Sequence, residues 1–83
     1  MRSRHEVIAD ILLTAAWNEE GSSKTFMINK SNLSFDQIEK YLPFLEDIKL
    51  LKLNYKNSRY KITQKGFKYL ESYNDIKELL SGK

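Results

Sequence analysis

Leu51-Lys52-Leu53-Asn54-Tyr55-Lys56-Asn57-Ser58-Arg59-Tyr60-Lys61-Ile62 carries a change of period. Up to Lys49 the apolar residues recur every three or four positions. Here Leu51, Leu53 and Tyr55 alternate with Lys52 and Asn54, and Tyr60 and Ile62 alternate with Arg59 and Lys61. A period of two is that of a strand with one buried face. The alternation predicts a hairpin over 51–62, with Lys56, Asn57 and Ser58 as its turn, an apolar face for the core and a cationic face for solvent or a ligand. Helical patterns lie on both sides, so this is a hairpin set among helices.

On its N-terminal side, Ser34 and Gln37 have the spacing of a capping box, in which each side chain satisfies a backbone N–H that a helix start leaves without a partner. Ile38, Tyr41, Leu42, Leu45 and Ile48 then follow at 3/4 spacing, predicting a helix over 34–48. Pro43 inside it is expected to kink the helix or split off its last turn, because it lacks a backbone donor. Further back, Glu19 to Ser23 read as a polar break. Thr25 is expected to cap a short helix over 25–31 that carries Phe26, Met27 and Ile28, and Ser31 and Asn32 form the next turn. Ser3 caps a first helix over 4–18, whose residues Ile8, Ile11, Leu12 and Ala15 share a face. Beyond the hairpin, Thr63 caps a last helix over 64–80, with Phe67 and Leu70 expected to turn toward the core.

The order helix, helix, short turn, helix, hairpin, helix is the layout of a winged helix-turn-helix, an α+β, mostly helical class with the hairpin as wing. The run Lys24-Thr25-Phe26-Met27-Ile28-Asn29-Lys30-Ser31-Asn32-Leu33-Ser34-Phe35, with Gln37-Ile38, Tyr41-Leu42 and Leu45 after it, resembles small archaeal winged-helix regulators, virus-borne ones included. Tyr60-Lys61-Ile62-Thr63, Lys65-Gly66 and Tyr69-Leu70 continue the likeness across nearly the whole chain. The resemblance implies a DNA-binding homodimer. The family usually has glycine after its third helix, where this chain has Lys49, so a different helix end is expected here.

Size and composition bound the alternatives. A chain of 83 residues has room for one domain, 1–83. It contains no cysteine, which excludes disulfides and thiolate metal sites and reads as intracellular. With no long apolar run and no signal-peptide pattern, a cytoplasmic location is expected: nucleoid-associated, or the host cytoplasm for a viral protein. The net charge is only +3, but Lys49, Lys52, Lys56, Arg59, Lys61, Lys65 and Lys68 occupy 49–68 with no acid among them, a local positive field.

Catalytic chemistry is poorly supplied. His5 is the one histidine and is expected at the surface or in a cap; with Glu6 and Asp10 it makes at most half a metal site. Gly21, Gly66 and Gly82 are too scattered to cradle phosphate. Neither an enzyme activity, a cofactor, a metal, a membrane partner nor a small-molecule substrate is expected.

For duplex DNA, the third helix is expected to enter the major groove with its N-terminal residues foremost. Gln37 can pair with adenine, Phe35 can touch a thymine methyl and Ser34 can reach a phosphate or base edge. Capping accounts equally well for Ser34 and Gln37, and core packing for Phe35. Asn32 lies just before them and Lys40 just after. Asp36 and Glu39 oppose phosphate, with Lys40 placed at i+4 to neutralise Asp36. Phosphate contacts are expected from Lys24, Thr25 and Lys30 around the second helix and from Lys56, Asn57, Ser58, Arg59 and Lys61 in the wing, with Arg59 near the tip able to enter the minor groove. On the last helix Tyr69, Tyr73, Ile76 and Leu80 recur at spacings of 4, 3 and 4, a heptad seam for a homodimer, although core packing competes for the same residues. The expectation is a sequence-directed regulator, a repressor by steric occupancy. The alternatives are an architectural DNA-coating protein and a winged helix used as a protein-interaction module.

Overall fold

The computed structural model describes residues 3–80; Met1, Arg2 and Ser81 to Lys83, with Gly82 and the ends of the expected domain, lie outside the described residues. The elements run α1 (Arg4–Ala16), β1 (Ser22–Ser23), α2 (Lys24–Ser31), α3 (Phe35–Asp47), β2 (Leu51–Asn54), β3 (Arg59–Ile62) and α4 (Gln64–Leu80). They form a winged helix-turn-helix, four helices around a small antiparallel sheet.

Local chemistry sets most of the boundaries. Ser3 caps α1 in a full capping box: the Glu6 amide donates to Ser3 Oγ at 3.1 Å and the Ser3 amide donates to Glu6 Oε1 at 3.3 Å. Ser34 and Gln37 form the expected box at the start of α3. Ser23, rather than Thr25, caps α2, accepting from the Phe26 amide, so Thr25 lies inside the first turn. Helix α1 ends at Ala16, two residues short of the expected Asn18, because the chain must turn back at Gly21 to enter β1. Pro43 does not split α3, which runs unbroken to Asp47; it forgoes only the bond its nitrogen would donate one turn back, at a solvent-exposed position.

The end of α3 also differs from expectation. Lys49 adopts φ 67°, the left-handed conformation usually left to glycine. Its amide donates to the Glu46 carbonyl at 3.0 Å and the Leu50 amide to the Leu45 carbonyl at 2.9 Å, with Leu45 and Leu50 both buried. This is a complete Schellman cap with lysine in the glycine position. Lys65 Nζ adds a bond to the Ile48 carbonyl at 2.9 Å, a cation at the negative end of the helix.

The wing is one strand larger than the alternation implies. The sheet order is β1-β3-β2, with Ser22 opposite Tyr60 and Ser23 opposite Arg59 on one side of β3 and Leu51 opposite Ile62 on the other. Ser22, expected in a polar break, is fully buried and its hydroxyl donates to the Thr14 carbonyl at 2.7 Å, which fixes the sheet to the end of α1. Ile11, Leu12, Met27, Ile38, Leu42 and Leu45 form the fully buried centre, each contributing about 1.5–3 kcal/mol by leaving water. Thr63 Oγ1 accepts from the Gly66 amide at 3.0 Å and so starts α4 as expected. A Cβ on Gly66 would stand 2.5 Å from the Leu50 carbonyl oxygen, so glycine is what lets α4 settle on the hairpin. With Gly66 and Leu70 facing inward, Phe67 is turned out and half-exposed, contrary to its expected place in the core. Beyond Tyr73, α4 projects from the body of a molecule 44 Å long and 26 by 21 Å across.

Candidate nucleic-acid interface

The N-terminus of α3 presents Ser34, Phe35, Gln37 and Lys40 to solvent, with exposed Asn32 just before them in the left-handed turn that ends α2. Phe35 is 56% exposed, which excludes the core role and leaves its ring on the surface. The capping box occupies Gln37 Oε1 with the Ser34 amide at 3.1 Å. A bidentate contact to adenine needs that oxygen as well as the amide nitrogen, so in the folded state the free end of Gln37 is its NH₂ donor.

The acids near this helix are handled differently from expectation. No ion pair joins Asp36 and Lys40 among the described residues. Instead Lys24, at the start of α2, pairs with Glu39, and its ammonium lies 6.0 Å from the centre of the Phe35 ring. The bond to Glu39 is also what raises the Lys24 pKa above its ordinary value. Lys24 thus knits α2 to α3 and cancels one carboxylate of α3, while Lys40 is left exposed to solvent. Lys30, grouped with Lys24 in the sequence, is not brought to this cluster. Its ammonium sits 5.7 Å from the Trp17 ring and 5.9 Å from the Phe26 ring, and those two rings meet edge to face at 6.1 Å. Thr25 is exposed in the first turn of α2.

On the wing, the pleat sends Leu51, Leu53, Tyr60 and Ile62 inward and Lys52, Asn54, Arg59 and Lys61 outward. Lys52 stands directly opposite Lys61. Like charges opposed across a ladder are destabilising, and this outer face contains no acid to relieve them. Lys52 therefore belongs with the wing cations. The signal for it was present in the alternation, but its partner is fixed only by register. Arg59 lies directly after the tip, where it opens β3, and its Nη1 donates to the Gly21 carbonyl at 3.1 Å, tying part of its guanidinium to the residue before β1. The tip is Tyr55, Lys56, Asn57 and Ser58. Tyr55, expected to continue the inward face, lies beyond the end of β2 and is 83% exposed.

The seam on α4 divides in two. Tyr69 and Tyr73 are half-buried against the core, and the Tyr69 hydroxyl lies 3.1 Å from Nδ1 of exposed His5 at the start of α1. Burial raises the Tyr69 pKa. Ile76 and Leu80 are 55% and 82% exposed, and Leu79 beside them is 79% exposed. All four seam residues line an open groove of about 540 Å³ whose other wall is Ser3, His5 and Glu6 at the start of α1. No helix among the described residues is long and apolar enough to cross a membrane.

This arrangement, a helix-turn-helix followed by a hairpin wing in a three-stranded sheet, defines a class, and the chain belongs to the winged helix-turn-helix family, whose pattern it matches over residues 1–81. It is similar to Sso10a-2, a DNA-binding protein from Sulfolobus solfataricus, at 28% identity and a TM-score of 0.76, over 98% of this chain and 87% of that one. No curated protein sequence matches the chain.

Proposed function

We propose that the protein is a sequence-directed, double-stranded DNA-binding regulator, working as a homodimer and repressing by occupying its site. The observation that carries this reading is the pairing of two surfaces: the exposed start of α3, with Phe35, Gln37 and Lys40, and an acid-free wing face bearing Lys52, Arg59 and Lys61. Arg or Lys cations that neutralise phosphates supply affinity, and a helix N-terminus in the major groove supplies sequence reading. The DNA-binding character of the similar Sulfolobus protein supports the same assignment. Thr25, Asn32, Ser34, Lys56, Asn57 and Ser58 surround these surfaces and complete the expected footprint, while Lys30 is its least supported member because it rests on Trp17 and Phe26.

For the homodimer, the support is the projecting half of α4. Ile76 and Leu80 would be costly in water on an isolated chain, and a second α4 laid in the groove beside Tyr69 and Tyr73 would cover them. Two recognition helices would then address half-sites about one DNA turn, or a multiple of it, apart.

The deciding experiment is a titration of labelled duplex across a salt series, with selection of preferred sequences from a random pool. A steep loss of affinity with salt and an enriched palindrome are expected. Equal binding to all sequences would replace the regulator with an architectural protein. Absence of binding at low salt would refute the DNA reading and favour a protein-interaction module. Sedimentation of the wild type against Ile76→Glu tests the homodimer, which a monomeric wild type at micromolar concentration would exclude.

A further inference from the structure

We infer that Tyr55 is the wing's apolar contact to DNA, its ring packing on the deoxyribose and base-edge surface of a groove while Lys56 beside it meets phosphate. The inference rests on the DNA-binding reading above and names a residue that the sequence pattern assigned to the core. Among the described residues Tyr55 is the most exposed of the large hydrophobic side chains. Exposure of a single aromatic is ordinary in itself. Two further features give it a direction.

The first is that the turn presenting it is built, not loose. Asn54 Oδ1 accepts from the Lys56 amide at 2.9 Å, and Asn57 Oδ1 accepts from the Arg59 amide at 3.0 Å. Ser58 takes the left-handed conformation that closes the four-residue tip, at φ 56°. These side-chain bonds hold the backbone on both sides of the apex, so little conformational entropy remains to be lost when the tip engages a surface. The second is the setting. The tip continues the acid-free face of Lys52, Arg59 and Lys61, and Lys56 follows directly. A ring with two side-chain torsions, carried on a rigid apex and flanked by cations, suits a surface that is flat and apolar between rows of anions. Deoxyribose and base edges between phosphates are such a surface. A partner protein surface would not require the uniform positive flank.

Such a contact releases no counterions, which separates it from every lysine around it. In a titration of random duplex across a salt series, Tyr55→Ala is expected to weaken binding by about fivefold to tenfold at every salt concentration, giving a line parallel to that of the wild type. Lys56→Ala is expected to reduce the salt slope by about one. Tyr55→Phe, which keeps the ring, is expected to stay within about twofold of the wild type. The exposed position leaves the fold intact, which an unchanged melting temperature of Tyr55→Ala verifies. Wild-type affinity for Tyr55→Ala at all salts would overturn the inference, as would a loss that disappears at high salt. A loss for Tyr55→Phe as large as for Tyr55→Ala would move the role to the hydroxyl and overturn it too. A wild type that binds no DNA would instead remove the reading on which the inference rests.

Discussion

Replacing Lys49 with glycine should leave the fold more stable than replacing it with alanine, although glycine has the smaller side chain and adds no contact. Lys49 holds φ 67° at the end of α3, where its Cβ crowds the backbone. That conformation costs a residue with a side chain roughly 1–2 kcal/mol. Glycine removes the strain but gains freedom in the unfolded chain, which returns about 0.4–1 kcal/mol. Glycine also removes an ammonium from the negative end of α3, worth about 0.3–1 kcal/mol at an exposed site. Lys49→Ala loses the ammonium and keeps the strain, so it is the proper reference. The two bonds of the cap and the Lys49 carbonyl that accepts from Thr63 Oγ1 at 2.6 Å are backbone features common to all three proteins. Lys49→Gly is therefore expected to exceed Lys49→Ala by about 0.5–1 kcal/mol. For a domain of this size that is about 2–8 °C in Tm. Thermal and urea melts followed by circular dichroism measure it. If Lys49→Gly melted at or below Lys49→Ala, the left-handed cap would not be strained and the argument would be wrong.

Two other outcomes follow from the wing. Lys52→Glu converts a like-charge pair with Lys61 into an opposite-charge pair, with an expected gain of about 0.2–1 kcal/mol in stability; DNA affinity should fall and the salt slope should become shallower. A less stable variant would mean that Lys52 and Lys61 do not feel each other. For Tyr60, burial pushes the phenol above its ordinary pKa, with Lys24 opposing and Glu46 adding to the effect. The folded state then retains a proton that the unfolded chain gives up near pH 10, so stability is complete below that pH and declines as pH rises through the folded value. Tyr60→Phe should flatten this alkaline decline in urea melts between pH 9 and 11, a range set by the ordinary tyrosine pKa of about 10. An equally steep decline would assign it to other groups.

Much of the architecture was legible because it is written in local rules. The 3/4 spacing of α1 and α3, the Ser34–Gln37 box and the Leu51 to Ile62 alternation each need only a few neighbouring residues. What was missed depends on partners distant in the chain. Two residues, Ser22 and Ser23, cannot display a period, and they become a strand because β3 has a free edge for them. Lys24 finds Glu39 across the α2–α3 turn, a pairing no helical spacing encodes. Phe67 and Leu70 share a face at i, i+3, but the close approach at Gly66 rotates α4 so that the 66/70 face is inside. Tyr55 fits the alternation and leaves it because two asparagine side chains end the ladder at Asn54. The cationic patch was legible as composition, and its division into outward lysines, a tethered Arg59 and a neutralised Lys24 required the fold.

The third strand has a mechanical consequence. Because β3 is held on both edges, by β2 along its length and by β1 at Arg59 and Tyr60, and β1 is bolted to α1 through Ser22, the tip-proximal end of the hairpin is braced against the helical body. Arg59 adds a strut from the same strand to Gly21. The distance from the wing to the start of α3 is then a fixed gauge rather than an adjustable reach. A surface that does not match that span must deform to be gripped, and a stiffer one should be refused.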